Sequence, residues 1–421
     1  MLEWGDPDAP QGGSFRSDPH FKATVAAGRD AIGAIILASD DSQLLSLDGE
    51  TRNALGIPVV IIRGGLANDV RAAARSGSQS KITTTVSPAM VEANNVAAVL
   101  PGSDPSLRDE YVIIGAHYDH LGYGGDGSLD PDSRDIHNGA DDNASGTAAL
   151  IEIARSMAAG PAPARSILFL AFTGEEKGLW GSTYFVDEPT IDLESAVAML
   201  NLDMVGRLVD DAVTVFGFSS ATEWDGLVDA ANAALPDPLV VGKAPDAFGP
   251  SDHTSFAGKR IPVLHFFSNT HVDYHRPSDD WPKINQEGMD RIAELTEGIA
   301  RRLAASDGTS VNWVEQEPPV NHGGGSTAST SAYGGVYLGS IPDMTPRDHG
   351  LRLTGVREGS PAEEGGLLAG DVVVEFDGRD ITDIYAYTYA LQDKQPGDTV
   401  VVIVERDGER VTLNITLGER R

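Results

Sequence analysis

The chain of 421 residues has no cysteine and only seven lysines. Without thiols there is neither a disulfide framework nor a thiolate metal site, so any metal must be held by His, Asp and Glu. Long apolar runs are also missing. None approaches the roughly 18 residues needed to cross a bilayer, so no membrane-spanning helix is expected. Positive charge is scarce: acidic residues outnumber basic ones 63 to 31, and the net charge of −32 repels nucleic acid and anionic lipid. Met1 to Pro10 is acidic where a secretory signal would be basic and then apolar. The opening MLEWGDPDAPQGGSFRSD is polar, Gly/Pro-rich sequence running straight into a domain. Either the protein is intracellular or its start is incomplete; the latter reading is favoured, and a secreted or periplasmic location with the export signal outside this chain is the expectation, with a cytoplasmic one as the alternative.

A chain of this length should hold two or three domains. Residues 1–93 contain an alanine-rich helix leading into a strand at Ile32–Leu37 and a second strand at Pro58–Arg63, without clustered ionisable groups. In residues 94–304, short apolar strands alternate with helical segments. Strands are read at Asn94–Leu100 and Tyr111–Ala116, taken as neighbours, then at Ile167–Phe172, Ala196–Leu200 and Ile261–Phe267. Helices are read at Ala144–Met157 and Glu287–Ala304. That alternation implies an α/β fold with a mostly parallel central sheet and helices on both faces. Residues 305–332 turn to Ser, Gly, Thr and Pro, a linker composition. Residues 333–421 hold short strands, a helix near Asp383–Leu391 and a hairpin around RDGE.

The informative stretch runs from Val112 to Thr147, where VIIGAHYDHLGYGG is followed by an acidic loop and then HNGADDNASGT. Polar residues at the carboxyl ends of buried strands are where open α/β sheets place their chemistry. Four apolar strands lead into such groups: His117 after VIIGA, Glu175 and Glu176 after ILFLAFTG, Asp203 after AVAMLNL, and His275 beyond IPVLHFF. Asp142 at a helix start adds a carboxylate to the same edge. A pair of divalent metals needs a bridging carboxylate, terminal ligands on each ion and a nearby base, and these residues fill every one of those posts. His120, His137 and His271 are read as hydrogen-bonded loop residues and His265 as a core residue. Asp126, Asp130, Asp132 and Asp135 lack EF-hand spacing and read as a solvated loop.

These motifs, spread over Asn94–Ala304, resemble the zinc exopeptidase family of aminopeptidase Y, the bacterial leucyl aminopeptidases and glutamate carboxypeptidase. The resemblance implies two Zn2+ per chain, one bound by His117 and Asp203, the other by Glu176 and His275, with Asp142 bridging. It implies that Glu175 is the general base and that Asp119 holds the far nitrogen of His117. Tyr274, directly before His275, would polarise the substrate carbonyl, a role given elsewhere in the family to a tyrosine at the place of Phe248. Asp252 and His253 match the family's Ser-Asp-His motif and would stand behind the ligands or touch substrate. The implied activity is hydrolysis of N-terminal peptide bonds of peptides or proteins. The alternatives are a carboxypeptidase of the glutamate carboxypeptidase type and a non-catalytic receptor-like relative. Lys22–Ala34 and Gly56–Val60 resemble the protease-associated (PA) domain. Gly359–Ala362, Ala369–Asp371 and Arg406–Glu409 resemble a PDZ domain, in which Tyr337, Leu338 and Gly339 would receive a peptide's C-terminal carboxylate; Ser340 stands where an apolar residue is usual, and a packing or positioning module is the alternative to peptide capture.

Overall fold

The structure is a computed structural model. It describes residues 2–3, 19–29, 31–38, 56–79, 81–84, 91–125, 127–130, 133–307, 310–315, 336–347, 349–392 and 394–419. The chain forms two compact units, Met1–Glu92 and Ala93–Arg421. In the first, β1 (Leu2–Glu3), β2 (Ala34–Ala38) and β3 (Val59–Arg63) form a parallel three-stranded sheet accompanied by α1 (Pro19–Ala27) and α2 (Gly65–Arg75). The opening read from sequence as loop thus contains a short strand. Asp126, Asp132 and most of the expected linker fall outside the described residues.

The second unit begins with a seven-stranded sheet of order β4-β6-β5-β7-β10-β8-β9. Its strands are β4 (Val96–Leu100), β5 (Tyr111–His117), β6 (Ser166–Phe172), β7 (Ala196–Leu202), β8 (Ala212–Phe216), β9 (Val240–Lys243) and β10 (Val263–Phe267). The four central strands β6, β5, β7 and β10 are mutually parallel, so their carboxyl ends share one rim. β4 does not neighbour β5 as the sequence suggested, because β6 lies between them and pairs antiparallel with β4. The run Val112–Ala116 is buried along its whole length. A strand of that composition belongs inside a sheet between parallel partners, and β6 and β7 occupy both of its edges.

Helices cover both faces. Val112, Ile114 and Ala116 pack with α3 (Gly146–Ala159), α5 (Trp224–Asn232) and α7 (Gln286–Leu303). Ile113 points the other way, into a core with Phe185 of α4 (Trp180–Asp187) and Phe256 of α6 (His253–Ala257). This is the alternation that a strand's two-residue period requires. β8, β9 and α5 had no expectation from the sequence.

The remaining chain is an antiparallel β-rich module with its own apolar core. It comprises β11 (Val336–Tyr337), β12 (Ser340–Pro342), β13 (Leu351–Val356), α8 (Pro361–Glu364), β14 (Val372–Phe376), β15 (Arg379–Asp380), α9 (Ile384–Gln392), β16 (Thr399–Arg406), β17 (Glu409–Thr416) and β18 (Gly418–Glu419). β12 is the edge of a sheet ordered β12-β13-β14-β16-β17. The RDGE hairpin joins β16 to β17 with positive φ at Asp407 and Gly408, as a two-residue hairpin turn of matching twist demands.

Gly115 shows how tightly the central strand is held. A Cβ there would lie 2.7 Å from Phe172 Cε2 and 2.8 Å from Met199 Cε. Gly115→Ala should therefore destabilise the second unit by about 1–3 kcal/mol, read as a lower urea midpoint at unchanged slope; an unchanged midpoint would mean the two side chains yield freely.

Candidate metal centre

Each candidate side chain is delivered by a strand end or by the turn beside it. His117 is the last residue of β5, and Asp203 directly follows β7. Glu175 and Glu176 lie in the loop after β6, and His275 in the loop after β10. Asp142 sits in the turn Ala140–Ser145 that opens α3, where the Asp142–Asn143 peptide bond is cis. Thr147 Oγ1 donates to the His117 carbonyl at 2.8 Å, tying α3 to the end of β5.

Asp142 occupies the middle. Its Oδ1 lies 3.4 Å from His117 Nε2 and its Oδ2 3.2 Å from His275 Nε2. On one side His117 Nε2 is also 3.3 Å from Asp203 Oδ1, and on the other His275 Nε2 is 3.3 Å from Glu176 Oε2. The structure thus brings together all five residues that the sequence points to as ligands. His120 stands beside them, its Nδ1 2.7 Å from Glu176 Oε1. Donor atoms of His117, Asp142 and Asp203 lie within 4.8 Å of one another, as do those of His120, Asp142 and Glu176. His120 is thus the hydrogen-bonded loop residue expected from sequence, with a candidate ligand as its partner.

The imidazoles are turned for metal. His117 Nδ1 is 3.1 Å from the Asp119 carbonyl, and His275 Nδ1 is 2.7 Å from the Gly127 carbonyl. A ring nitrogen facing a carbonyl carries a proton, so in the neutral ring each Nε2 would present a lone pair toward carboxylate oxygens. Lone pair against carboxylate is repulsive unless positive charge stands between them. The cluster's acidity shows the same demand. Burial alone would lower the His275 imidazolium, but the hydrogen bond and charge of Asp142, with Glu176, raise it to about 9. His117 is likewise lifted well above its usual range despite burial, chiefly by Asp203 and Glu175. An all-nitrogen-and-oxygen donor set of this kind fits zinc.

Asp119 faces the far nitrogen of His117 with its carbonyl, at 3.1 Å, and with its carboxylate Oδ1, at 3.7 Å. That carboxylate also accepts the backbone N–H groups of Glu175, at 3.1 Å, and Glu176, at 3.4 Å. It braces the loop that carries both glutamates. Tyr274 stacks on His275 with ring centroids 3.8 Å apart. Asp252 is fully buried, and burial raises its carboxyl to about 7. His253 stacks on His265 at 4.4 Å, and His265 Nδ1 meets Asn201 Nδ2 at 3.2 Å. Phe248 packs edge-on against Trp313.

Several supporting residues escape a reading of the sequence. Asp279 Oδ2 accepts the backbone N–H groups of Asp141 and Asp142 at 2.8 and 3.1 Å. Asp141 is itself buried and takes hydrogen bonds from Gly206 N, Ser145 Oγ and the His271 ring. Arg207 bridges from Asp273 (2.8 Å) toward Asp279 (3.5 Å), and Ser251 Oγ donates to Asp203 Oδ2 at 2.8 Å. Because Asp279 fixes the turn that aims Asp142, Asp279→Ala should weaken metal retention about 10–100-fold. Chelator competition on the folded protein measures this, and retention equal to the parent's would remove Asp279 from the support of the site.

Residues 95–300 match the family model of peptidase family M28, and residues 337–417 that of the PDZ domain. Aminopeptidase YwaD of Bacillus subtilis is 27% identical over 285 residues, covering 65% of this chain and 57% of that protein. Probable glutamate carboxypeptidase AMP1 of Arabidopsis thaliana is 36% identical over 160 residues, 36% of this chain and 19% of that protein. Among solved structures, the aminopeptidase from Aneurinibacillus sp. strain AM-1 aligns with a TM-score of 0.46 at 28% identity, covering 76% of this chain and 72% of that one. The chain thus spans less than two thirds of the length of these two curated relatives. With the strand-end donors in place and the family model spanning them, residues 95–300 are a peptidase family M28 domain, followed by a PDZ domain at 337–417.

Proposed function

We propose that the chain is a two-zinc aminopeptidase that hydrolyses N-terminal peptide bonds of peptides or proteins. The observation that carries this reading is Asp142, one carboxylate set between two imidazole–carboxylate groups, with Glu175 beside them. His117 and Asp203 would hold one ion, Glu176 and His275 the other, and Asp142 both. Bound there, the pair would lower the pKa of a shared water and polarise the scissile carbonyl.

The chain's own groups supply the proton movements. Burial, together with Asp203, Asp252 and Glu176, raises the Glu175 carboxyl well above its usual range, although the nearby His117 opposes this. With positive charge at the centre its carboxylate would accept a proton from the attacking water and return it to the leaving amine. Its position is set by the Asp119 carboxylate on its backbone N–H. Burial, with the carboxylates of Asp142 and Glu176, lifts the Tyr274 phenol well above 10. The hydroxyl therefore stays protonated and can donate to the carbonyl oxygen as it gains charge.

Removal of acidic C-terminal residues is the alternative, favoured by the likeness to glutamate carboxypeptidases and opposed by this chain's net charge of −32. A non-catalytic relative would be expected to have lost such residues, and His117, Asp142, Glu175, Glu176, Asp203 and His275 are all present. Residues 1–93 fit the reading as part of a protease-associated domain.

Chelation should abolish peptidase activity and zinc should restore it. Glu175→Gln should keep two zinc ions per chain by elemental analysis while kcat falls about 10²–10⁴-fold; full activity in that variant would overturn the assignment of the base. N-acetylated peptides should resist cleavage while C-amidated ones remain substrates, and the reverse pattern would establish the carboxypeptidase.

A further inference from the structure

A second polar cluster lies where the connection after β12 meets the loop following β10. That loop, Ser268–His275, must carry Tyr274 and His275 back to the centre. Part of it is tied to its own domain: Ser268 N and Oγ both donate to the Met204 carbonyl (2.8 and 2.7 Å), the His271 ring meets Asp141 (3.1 Å), and Asp273 pairs with Arg207. Between Ser268 and His271 the ties run elsewhere. Asn269 Nδ2 donates to Asp343 Oδ1 at 2.7 Å and Thr345 Oγ1 at 3.2 Å, and its Oδ1 accepts Met344 N at 2.8 Å. Thr270 Oγ1 donates to the Pro342 carbonyl at 3.0 Å. All four partners belong to the PDZ domain.

The PDZ side is built to receive them. Asp343 is buried; its N–H donates to the Arg352 carbonyl at 2.9 Å, and its Oδ1 also accepts Thr345 N at 2.9 Å. Thr345 reaches further into the peptidase domain. Its hydroxyl is 2.8 Å from that of Thr214 on β8, and its methyl fills the space a Cβ on Gly242 of β9 would need. Asn269 has φ 82°, a left-handed conformation that asparagine tolerates better than most residues. Meanwhile the β12 edge, where a captured peptide strand would add, is engaged within the chain. Ser340 Oγ is 2.6 Å from Tyr387 Oη on α9, and the Pro342 carbonyl is taken by Thr270.

We propose that the PDZ domain acts as an internal clamp on the peptidase centre, with Asn269 as the positioning residue through which Asp343, Met344 and Thr345 fix the loop that delivers Tyr274 and His275. The clamp deepens the functional reading above, in that it names what holds two of that site's groups, yet it can be tested without turnover.

Two full-chain variants cut the link from opposite sides. Asn269→Gly keeps the left-handed backbone while removing the side-chain bonds, and Asp343→Ala acts from the PDZ domain. Hydrogen exchange of metal-free protein should show residues 268–276 exchanging at least tenfold faster in both variants, with β5 and β7 as protected as in the parent. In the zinc-loaded protein, chelator-driven zinc loss should quicken about tenfold, and kcat should fall with KM within twofold. The double variant should behave like the more affected single one, because both changes break one connection. Exchange of 268–276 within twofold of the parent in both variants, or effects that add in the double, would overturn the clamp. If Asn269→Gly does not fold, Asp343→Ala decides alone. A parent without aminopeptidase activity would refute the functional reading and leave the exchange result to judge the clamp.

Discussion

The centre depends on one carboxylate that must face two imidazoles at once. Asp142 meets His117 through one oxygen and His275 through the other, and around them crowd Asp203, Glu175 and Glu176. Uncompensated buried charge costs several kcal/mol per ion, so this grouping is stable only with positive charge inside it. The acidities show how protons answer that demand, with His275 lifted to about 9 and Glu175 held well above its usual range. Metal entry would displace some of these protons, which links occupancy to pH as in other sites where ligands must be deprotonated.

Such a carboxylate can be aimed only if its backbone cannot move. The Asp141–Asp142 turn is held by Asp279 from below, by Gly206 and Ser145 through the Asp141 side chain, and by α3, which starts shortly after it. Asp279 and Asp141 are both buried acids a short distance apart, so the support repeats the problem of the site it supports. Arg207 supplies a positive partner there, and the His271 ring meets the Asp141 carboxylate. These supporting residues hold the turn without using the Asp142 carboxylate itself, whose two oxygens stay turned toward His117 and His275.

How much of the centre is legible in sequence follows from the same layering. His117 and Asp203 sit at the ends of apolar runs whose burial is plain from composition, so strand and ligand announce each other. The central parallel sheet is legible for the same reason. The place of β4 is not, because strand order is decided by which edges of β5 are filled, and a local sequence does not carry that. Asp279, Asp141 and Arg207 look like ordinary loop charges, and only the fold brings them together. For Asp119, the spacing from His117 marks the residue as important, but nothing local reveals that its carboxylate also takes the backbone N–H groups of Glu175 and Glu176.

Sheet geometry also explains which donors need outside help. The four parallel strands stand in the order β6-β5-β7-β10, and strands are spaced about 4.8 Å apart. His117 and Asp203 rise from the two inner strands, β5 and β7, and reach each other from the strand ends themselves. Glu176 and His275 come from the outer strands, roughly 14 Å apart at sheet level, and must meet within 3.3 Å. Only loops can close that gap, and loops are ordered less firmly than strands unless they are tied. The loop after β6 is tied by Asp119, from the end of the neighbouring strand. The loop after β10 is longer, and on its outer side lie β8 and β9, which run in the opposite direction to β10. On its inner side the loop is tied just past the parallel neighbour β7, by Met204 to Ser268 and by Arg207 to Asp273; on its outer side the strands run the other way, and there Asn269 meets a brace in the PDZ domain.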